Sequence, residues 1–390
     1  MNPPRRRTDH LEHYVNRAPW DPYHTEPLTA KQESYYLASQ WRIMWWKLRR
    51  HKLAMISGAV LAFFYLSVLC VEIIAPYQQD TPHNAQIYTP PQQLRFFHNG
   101  EFIGPFVYGT RTEFDLQQRE MITTEDTEDP QRVRFFCSGD PYMFWSVIPM
   151  DFHLFCPAEG GTLFLLGTDQ LGRDVLSRMI YAGRVSLTIG LVGVTVSFAL
   201  GLLMGGLAGY YGGWVDNVIN RIIEVFQSFP QLPLWMALSA ALPPTWSPLL
   251  IYFGITIILG LVDWTGLARA VRSKLLSLRE EDFATAAHLM GASPGRVVRR
   301  HLLPSFASHL IASATLSIPG MILGETALSY LGLGLQEPVV SLGVLLNDAQ
   351  NVNVVAVYPW LMAPVIPVIL IVLAFQFFGD GLRDAADPYK

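Results

Sequence analysis

Charged residues are scarce in this chain: they make up only 15% of its 390 residues, whereas hydrophobic residues make up 51%. A globular domain averages roughly 25% charged residues, so the deficit indicates a protein of the membrane. The net charge is −4, and the chain therefore has no global basic excess that would indicate nucleic acid as a partner.

Cysteine and the motifs of nucleotide or metal chemistry are also sparse. The chain has three cysteines, and no spacing of Cys and His resembles a zinc site. It has no Gly-x-x-x-x-Gly-Lys-Ser/Thr phosphate loop, so it is not expected to hydrolyse ATP. We therefore predict no catalytic residue, no metal and no directly bound cofactor. A cleavable signal peptide is not expected either, because the first 52 residues are polar and rich in proline.

Long apolar segments are abundant, and six of them reach or approach the roughly 20 residues needed to cross a bilayer. The predicted spans are 53–75, 185–208, 217–242, 249–267, 305–327 and 357–378. Pro230 and Pro233 are expected to kink the third span. The sequence thus predicts an all-α polytopic membrane protein with six transmembrane helices and a small extracytoplasmic insert between the first two.

Basic residues predict the orientation in the membrane. Residues 1–52 carry ten Lys or Arg and residues 268–304 carry seven, whereas the loops 242–248 and 327–357 carry none. The positive-inside rule therefore predicts that both termini and the 268–304 loop are cytoplasmic.

The tail, residues 1–52, is predicted to end in an interfacial helix. Trp41, Trp45 and Leu48 share a helix face and have several cations as neighbours. This mixture is typical of a helix that lies against membrane lipid, with its basic side towards anionic headgroups.

Residues 76–165 differ in composition and are predicted to form the extracytoplasmic insert. They hold 12 acidic and five basic residues, no spanning segment, and two runs, 102–103 and 132–136, that suit short strands. If the insert faces an oxidising compartment, Cys137 and Cys156 can form a disulfide. Two unpaired thiols remain the alternative.

A polar stretch, residues 281–304, separates the fourth and fifth spans and is predicted to form two short helices. Phe283, Ala286, Ala287 and Met290 fall at i, i+3, i+4 and i+7, which gives one apolar stripe. The two alanine methyl groups would let another helix or groove approach closely.

The same stretch contains the signals of a tight turn between its helices. Gly291 occupies the position after a helix end that needs a positive φ. Ser293 is a suitable N-cap with Pro294 at the first helical position, and Pro304 is expected to end the second helix.

This pattern of an Ala pair, three residues, Gly, and then Leu-Pro resembles the cytoplasmic coupling loop of ABC importer permeases. In that family the loop docks into a cleft on an ATPase subunit, and Thr285 here replaces an acidic residue that usually precedes the Ala pair. A loop helix without a partner is the alternative. The residues to which the resemblance gives an ATPase-coupling role are Phe283, Ala286, Ala287, Met290, Gly291 and Pro304.

Three more segments resemble permeases of the oligopeptide and dipeptide (peptide, opine and nickel) importer family: residues 166–187, 324–335 and 379–388. The resemblance covers about residues 40–75 and 165–390, which include the permease core at 166–390, but not the insert. The first segment is expected to form a turn with ion pairs, and a catalytic role is less favoured. Its motif residues are Gly167, Asp169, Gly172, Arg173 and Asp174.

The resemblance implies a multi-pass permease of a bacterial inner membrane that works by alternating access. Its implied partners are a homologous second permease, two ATPase subunits that bind ATP and magnesium, and an extracytoplasmic solute-binding protein. Peptides are the implied substrate, although relatives carry nickel, opines and oligosaccharides. Two rival classes stay open: a membrane enzyme or secondary transporter that uses Arg221, Glu224 and Asp263, and a channel-like structural subunit.

Overall fold

The structure, a computed structural model, describes residues 37–115 and 120–387. Most of the predicted tail therefore lies outside the described residues. The chain divides into two units, Met1–Ile43 and Met44–Lys390, and the membrane helices belong to the second.

The N-terminal helices are α1 (Gln40–Arg50), α2 (Lys52–Leu69) and the short α3 (Val71–Ile74). Trp45 is half exposed, whereas Leu48 is buried in a cluster that includes residues of the C-terminal helix. Leu48 therefore packs into the protein and does not share an exposed face with Trp45. The first predicted span, 53–75, is interrupted between α2 and α3, where the chain turns.

The described residues of the insert form five strands. They are β1 (Arg95–His98), β2 (Glu101–Asp115), β3 (Glu120–Arg132), β4 (Arg134–Phe144) and β5 (Ile148–Cys156). The first three form one antiparallel sheet, and β4 and β5 form a second. The helical prediction holds for the membrane part, whereas the strands of the insert are longer than the runs that the sequence indicated.

A disulfide joins Cys137 on β4 to Cys156 on β5. In the hairpin register Cys137 lies opposite His153 and Cys156 lies opposite Arg134, and the two cysteine Cα atoms are 6.3 Å apart. The third cysteine, Cys70, lies between α2 and α3 and is a free thiol.

Helices α4 (Val175–Tyr211) and α7 (Pro248–Leu278) pack closely together. A Cβ atom added at Gly209 would lie 2.9 Å from the carbonyl oxygen of Arg272, and one at Gly205 would overlap that of Ala268. The small residues spaced by four along α4 therefore let the two backbones approach, as is usual for membrane helices.

The third predicted span, 217–242, is two helices in the structure: α5 (Gly213–Ser228) and α6 (Gln231–Ala240). The break lies at Phe229 and Pro230, both of which have extended ψ angles. A proline has no N–H and favours an extended conformation for the residue before it, so Pro230 interrupts the helix where a kink was predicted.

Five helical segments of the described residues are long and apolar enough to cross a membrane, and the broken pair α5–α6 is not among them. Span prediction by hydropathy is thus confirmed in five places. At the third place the single predicted helix is a broken pair, and neither half is long enough to cross by itself.

Four short helical pieces follow α7 and lead into the next long helix. They are α8 (Asp282–Leu289), α9 (Pro294–Val297), a π-helical turn (Val298–Leu302) and α10 (Leu303–Ser305). Helix α7 itself extends to Leu278, so the first part of the predicted 268–304 loop is helical.

Pro304 lies inside α10, and the prediction that it ends the second helix is wrong. In the wide turn before it, the Leu303 N–H donates to the carbonyl oxygen of Val298, five residues back. This shift removes the α-helical bonding pattern with which a proline ring would clash. The helical path ends instead at Phe306.

The C-terminal part begins with α11 (Ala307–Tyr330) and continues with α12 (Leu342–Asp348) and α13 (Val352–Val357). A 3-10 turn (Pro359–Met362) then leads into α14 (Val365–Ala386). The sixth predicted span, 357–378, therefore begins and ends further along the chain than hydropathy indicated.

Candidate functional site

Helix α8, the first helix of the 281–304 stretch, has one face in the protein and one at the surface. Ala284 and Ala287 are only 1% and 8% exposed. They pack in an apolar cluster with Val271, Leu275, Val297, Leu302, Phe306 and Leu310. Because neighbouring residues on a helix point about 100° apart, Ala286 faces outward while Ala287 faces inward. The prediction that both alanines lie on one docking surface is therefore wrong for Ala287.

The outward surface of α8 and its end is apolar. Phe283 is 43% exposed, and Leu289 and Met290, at 85% and 87%, are the most exposed large apolar side chains of the described residues. We call Phe283, Ala286, Leu289 and Met290 the docking face. Leu289 was missed because the helical spacing counted from Phe283 skips it. The signal that could have found it is a pair of large apolar residues directly before a helix-ending glycine.

Gly291 ends α8 as the sequence predicted. Its φ is +77°. Its N–H donates to the carbonyl oxygen of His288 at 2.9 Å, and the Ala292 N–H donates to that of Ala287 at 3.0 Å. These two bonds form a Schellman motif, which favours glycine at this position. The sharp reversal leaves Leu289 and Met290 projecting at the end of the helix.

Side chains fix α8 to the ends of the long helices. The Tyr210 hydroxyl, on the last turn of α4, lies 2.6 Å from His288 Nε2, and the two rings stack. Arg272 on α7 forms an ion pair with Asp216 on α5. The contact between Tyr210 and His288 therefore connects α8 to α4, and the cluster around Ala284 and Ala287 connects α8 to α7. The ion pair of Arg272 with Asp216 connects α7 to α5.

Glycines at a second place, the turn before α4, allow two chain segments to lie in contact. Gly167 and Gly172 have φ angles of +75° and +70°. A Cβ atom at Gly167 would lie 2.7 Å from the carbonyl oxygen of Thr89, and one at Gly172 would overlap that of His83. The His83 N–H donates to the Gly172 carbonyl oxygen at 3.1 Å. The turn thus holds the first part of the insert against the start of α4.

Ion pairs fill the interior of this turn. Asp169 Oδ2 accepts from Arg173 Nε at 2.8 Å and also pairs with Arg178 Nη1. Glu337 Oε1 lies 2.8 Å from Arg173 Nη2 and 2.5 Å from Arg178 Nη2. Burial opposes the ionisation of Glu337, but its bonds to the two guanidinium groups outweigh this effect and lower its pKa. Ion pairs were expected here, but Arg178 and Glu337 were not, since nothing in the sequence joins them.

Asp174 caps the N-terminus of α4. Its Oδ2 accepts from the Ser177 N–H at 2.8 Å and from the Ser177 hydroxyl at 2.6 Å. Its side chain is fully buried, and burial raises its pKa to about 7 in spite of these bonds. The capping role explains why an aspartate follows the turn at this position.

A buried carboxylate, Glu325 of α11, connects three parts of the membrane core. It accepts hydrogen bonds from the hydroxyls of Ser329 at 2.8 Å, Ser341 at 2.6 Å and Ser186 at 3.2 Å. Each of these hydroxyl oxygens in turn accepts a backbone N–H; the donors are Leu335, Val344 and Leu342. Glu325 therefore fixes the segment after α11 to α4.

A cavity of about 590 Å³ opens at the break between α5 and α6. In its wall, Gln231 Nε2 donates to Asp263 Oδ1 at 3.2 Å. Arg221 and Glu224 instead form an exposed ion pair with each other at 2.6 Å. The three groups that a membrane enzyme or secondary transporter would use are thus divided between two separate sets of contacts. In the described ranges, no group of three or more His, Cys, Asp or Glu side chains is arranged to hold a metal ion.

Two family models match the chain. The model described as binding-protein-dependent transport system inner membrane component matches residues 199–389. The model described as N-terminal TM domain of oligopeptide transport permease C matches residues 39–91. The unmatched residues between them include most of the insert.

Individual proteins are also similar to this chain. The dipeptide transport system permease protein DppC of Alkalihalophilus pseudofirmus is 40% identical over 57% of this chain and 71% of its own length. The protein of the same name from Lactococcus lactis subsp. cremoris is 31% identical over 88% of this chain and 89% of its own length. An inward-facing structure of the MetNI methionine ABC transporter has a TM-score of 0.41 at 21% identity and covers 54% of this chain and 97% of its own.

The first family model covers the 281–304 stretch and the segments 324–335 and 379–388, whereas the turn at 166–187 lies outside both models. The Lactococcus protein aligns over nearly the whole of both chains. The chain belongs to the family of binding-protein-dependent transport system inner membrane components, in its oligopeptide and dipeptide permease branch, and it is a multi-pass membrane permease.

Proposed function

We propose that this permease is the membrane subunit of an ATP-driven importer of peptides or peptide-like solutes. The observation that carries the proposal is the docking face, an exposed apolar surface on a loop that is packed against the ends of the long helices. A protein does not usually leave such side chains in water without a partner to cover them. The names of the relatives from Alkalihalophilus and Lactococcus support a peptide substrate.

The docking face would fit a cleft on an ATPase subunit, with one such subunit under each permease. ATP and magnesium would bind to those subunits, since this chain has no phosphate loop. Closure of the ATPase pair would move α8, and the contacts of Tyr210 with His288 and of Ala284 with the cluster below it would carry that movement to α4 and α7. Rigid helices that rock between two packings would then give alternating access.

A homologous second permease would pack against α5 and α6. These two helices carry exposed apolar side chains, including Val225 at 61% and Phe229 at 57%. The cavity at their break, whose wall also includes residues of α7 and α11, is lined by the polar groups Gln231 and Asp263. The translocation path would therefore run along this surface, between the two permeases.

Transport itself tests the proposed function. The permease, reconstituted in proteoliposomes with its second permease, ATPase subunits and binding protein, is expected to accumulate a labelled peptide only when ATP is present on the ATPase side. Omission of the binding protein or of ATP is the control. Peptide movement without the ATPase subunits would favour a secondary transporter, and accumulation of nickel but not of peptide would overturn the substrate class.

Orientation in the inner membrane is a separate expectation. We propose that both termini and α8 are cytoplasmic and that the insert lies outside, where a solute-binding protein delivers substrate. The exposed Arg296, Arg299 and Arg300 support a cytoplasmic position for the loop. Reporter fusions at residues 120 and 290 are expected to report opposite compartments. The same compartment at both sites would contradict this topology.

A further inference from the structure

The turn that connects β4 and β5 has an unusual sequence for its geometry. The Val147 N–H donates to the Phe144 carbonyl oxygen at 3.0 Å. The two residues between them, Trp145 and Ser146, have φ angles of +50° and +58°. Two consecutive positive φ angles define a type I′ turn, in which Asn and Gly are the usual residues because bulky side chains disfavour this conformation. Something outside the turn must therefore hold Trp145 in this position.

Two contacts with membrane helices hold Trp145. Its Nε1 donates to the carbonyl oxygen of Leu69, the last residue of α2, at 3.1 Å. The guanidinium group of Arg184 on α4 lies 4.9 Å from the centre of the indole ring, a favourable cation–π geometry. The turn is thus fixed to the end of α2 and to Arg184 within the first part of α4, and not only to its own hairpin.

Two charged residues near these contacts, Glu72 of α3 and Arg184 of α4, indicate where the hydrocarbon layer ends on this side. Glu72 is the first charged residue after the apolar run of α2, and Arg184 is the last one before the charge-free run of α4. These two residues form an ion pair at 2.6 Å. Because charged groups are costly inside a bilayer, we expect the boundary of the hydrocarbon near this pair. Arg184 contacts Trp145, so Trp145 lies at the same level.

The side chains around Trp145 are apolar and exposed. We call Met143, Trp145, Val147 and Ile148 the hairpin tip; their exposed fractions are 51%, 47%, 74% and 53%. The surface of α2 next to the tip is also apolar, since Leu66 and Leu69 are 63% and 50% exposed. The tip therefore continues the surface that α2 turns towards lipid.

We propose that the hairpin tip is a lipid-binding anchor that inserts into the interfacial layer of the bilayer on the side of the insert. An indole ring with its N–H bonded and an arginine beside it is typical of this layer, and Val147 and Ile148 supply the apolar contact with acyl chains. A binding protein would approach the insert from water, whereas the tip lies where the hydrocarbon begins, so lipid is the occupant that its level favours. The inference depends on the chain spanning a membrane and not on its substrate or ATPase.

Fluorescence quenching in lipid tests this proposal. Cysteine replaces Val147 in the full-length permease, with Cys70→Ser to remove the free thiol and the disulfide left intact, and the new thiol carries an environment-sensitive nitrobenzoxadiazole dye. The protein is placed in nanodiscs of phosphatidylethanolamine and phosphatidylglycerol. We expect strong quenching by nitroxide-labelled lipid and several-fold weaker quenching by iodide than at a label on Glu128→Cys, an exposed acidic site of β3.

Control sites and alternative outcomes make the result decisive. A label on Phe63→Cys, at an exposed position in the middle of α2, gives the response of hydrocarbon. Iodide quenching at Val147 equal to that at Glu128 would mean water and would overturn the proposal. Protection from both quenchers in the assembled transporter would mean a protein contact and would also overturn it. Ile148→Cys repeats the test if the first variant does not fold.

Discussion

Replacement of Ala286 by Glu is expected to separate this permease from its ATPase subunits while the permease itself remains folded. Ala286 lies on the exposed side of α8 within the docking face, so the new charge stays in water in the isolated chain. In a packed interface the charge would lose its water without gaining a partner. We expect a loss of at least about 2 kcal/mol, roughly 30-fold in affinity. Copurification of the ATPase and substrate-stimulated ATP hydrolysis should both fall, with unchanged abundance in the membrane.

Two neighbouring substitutions are matched controls for Ala286→Glu. Thr285→Glu introduces the same charge at an exposed position where the family usually has an acidic residue, and it should leave both assembly and transport intact. Ala287→Glu introduces it among the apolar side chains of the loop, so it should reduce the amount of folded permease. If the Ala286→Glu permease still assembles and transports peptide normally, α8 is not the coupling element.

Helix α8 also shows what the spacing of apolar residues in a sequence can and cannot predict. Positions 283, 286, 287 and 290 share one side of a helix to within half a turn, and the sequence therefore predicts the helix and its end at Gly291. Alanine is small and apolar, so it suits both a protein interior and an interface. The side to which Ala287 points is decided by Val271 and Leu275 of α7, which the local pattern cannot include.

The long helices were predictable for a different reason. Bilayer thickness sets their length, so a hydropathy window alone finds five of them, and Pro230 marks the place where the third span breaks. Contacts between distant parts of the chain were not predictable. Arg178 and Glu337 are 159 residues apart, and only the packing of the 331–341 segment on α4 brings them together. The function was predictable from the resemblance of motifs and not from the chemistry of individual side chains.

The turn before α4 provides the second large expected effect. Asp169 is 3% exposed and accepts four hydrogen bonds: from the backbone N–H groups of Leu171 and Arg173, and from the side chains of Arg173 and Arg178. Arg178 is itself only 1% exposed. The hydrogen bonds to this carboxylate therefore lie inside the protein, where water cannot take the place of a lost acceptor.

Asp169→Asn is expected to destabilise the permease by about 3–5 kcal/mol, because it leaves buried guanidinium groups short of a negative charge. The amide also has one acceptor oxygen for four donors, and its NH₂ group would oppose either the two backbone N–H groups or both Arg173 and Arg178. The measurement is the temperature at which purified permease in nanodiscs loses its monodisperse size-exclusion peak after heating. That temperature should fall substantially, and the amount of permease in the membrane should fall with it.

Glu337→Gln is the matched comparison for Asp169→Asn, since it removes the same charge from the same two arginines. The Glu337 side chain is 41% exposed, so water already screens its charge, whereas Asp169 is buried with the arginines. The expected shift is therefore smaller than for Asp169→Asn. Equal shifts for the two variants would mean that burial does not decide the cost. No shift for Asp169→Asn would mean that the turn is held by its glycines and backbone hydrogen bonds and not by its ion pairs.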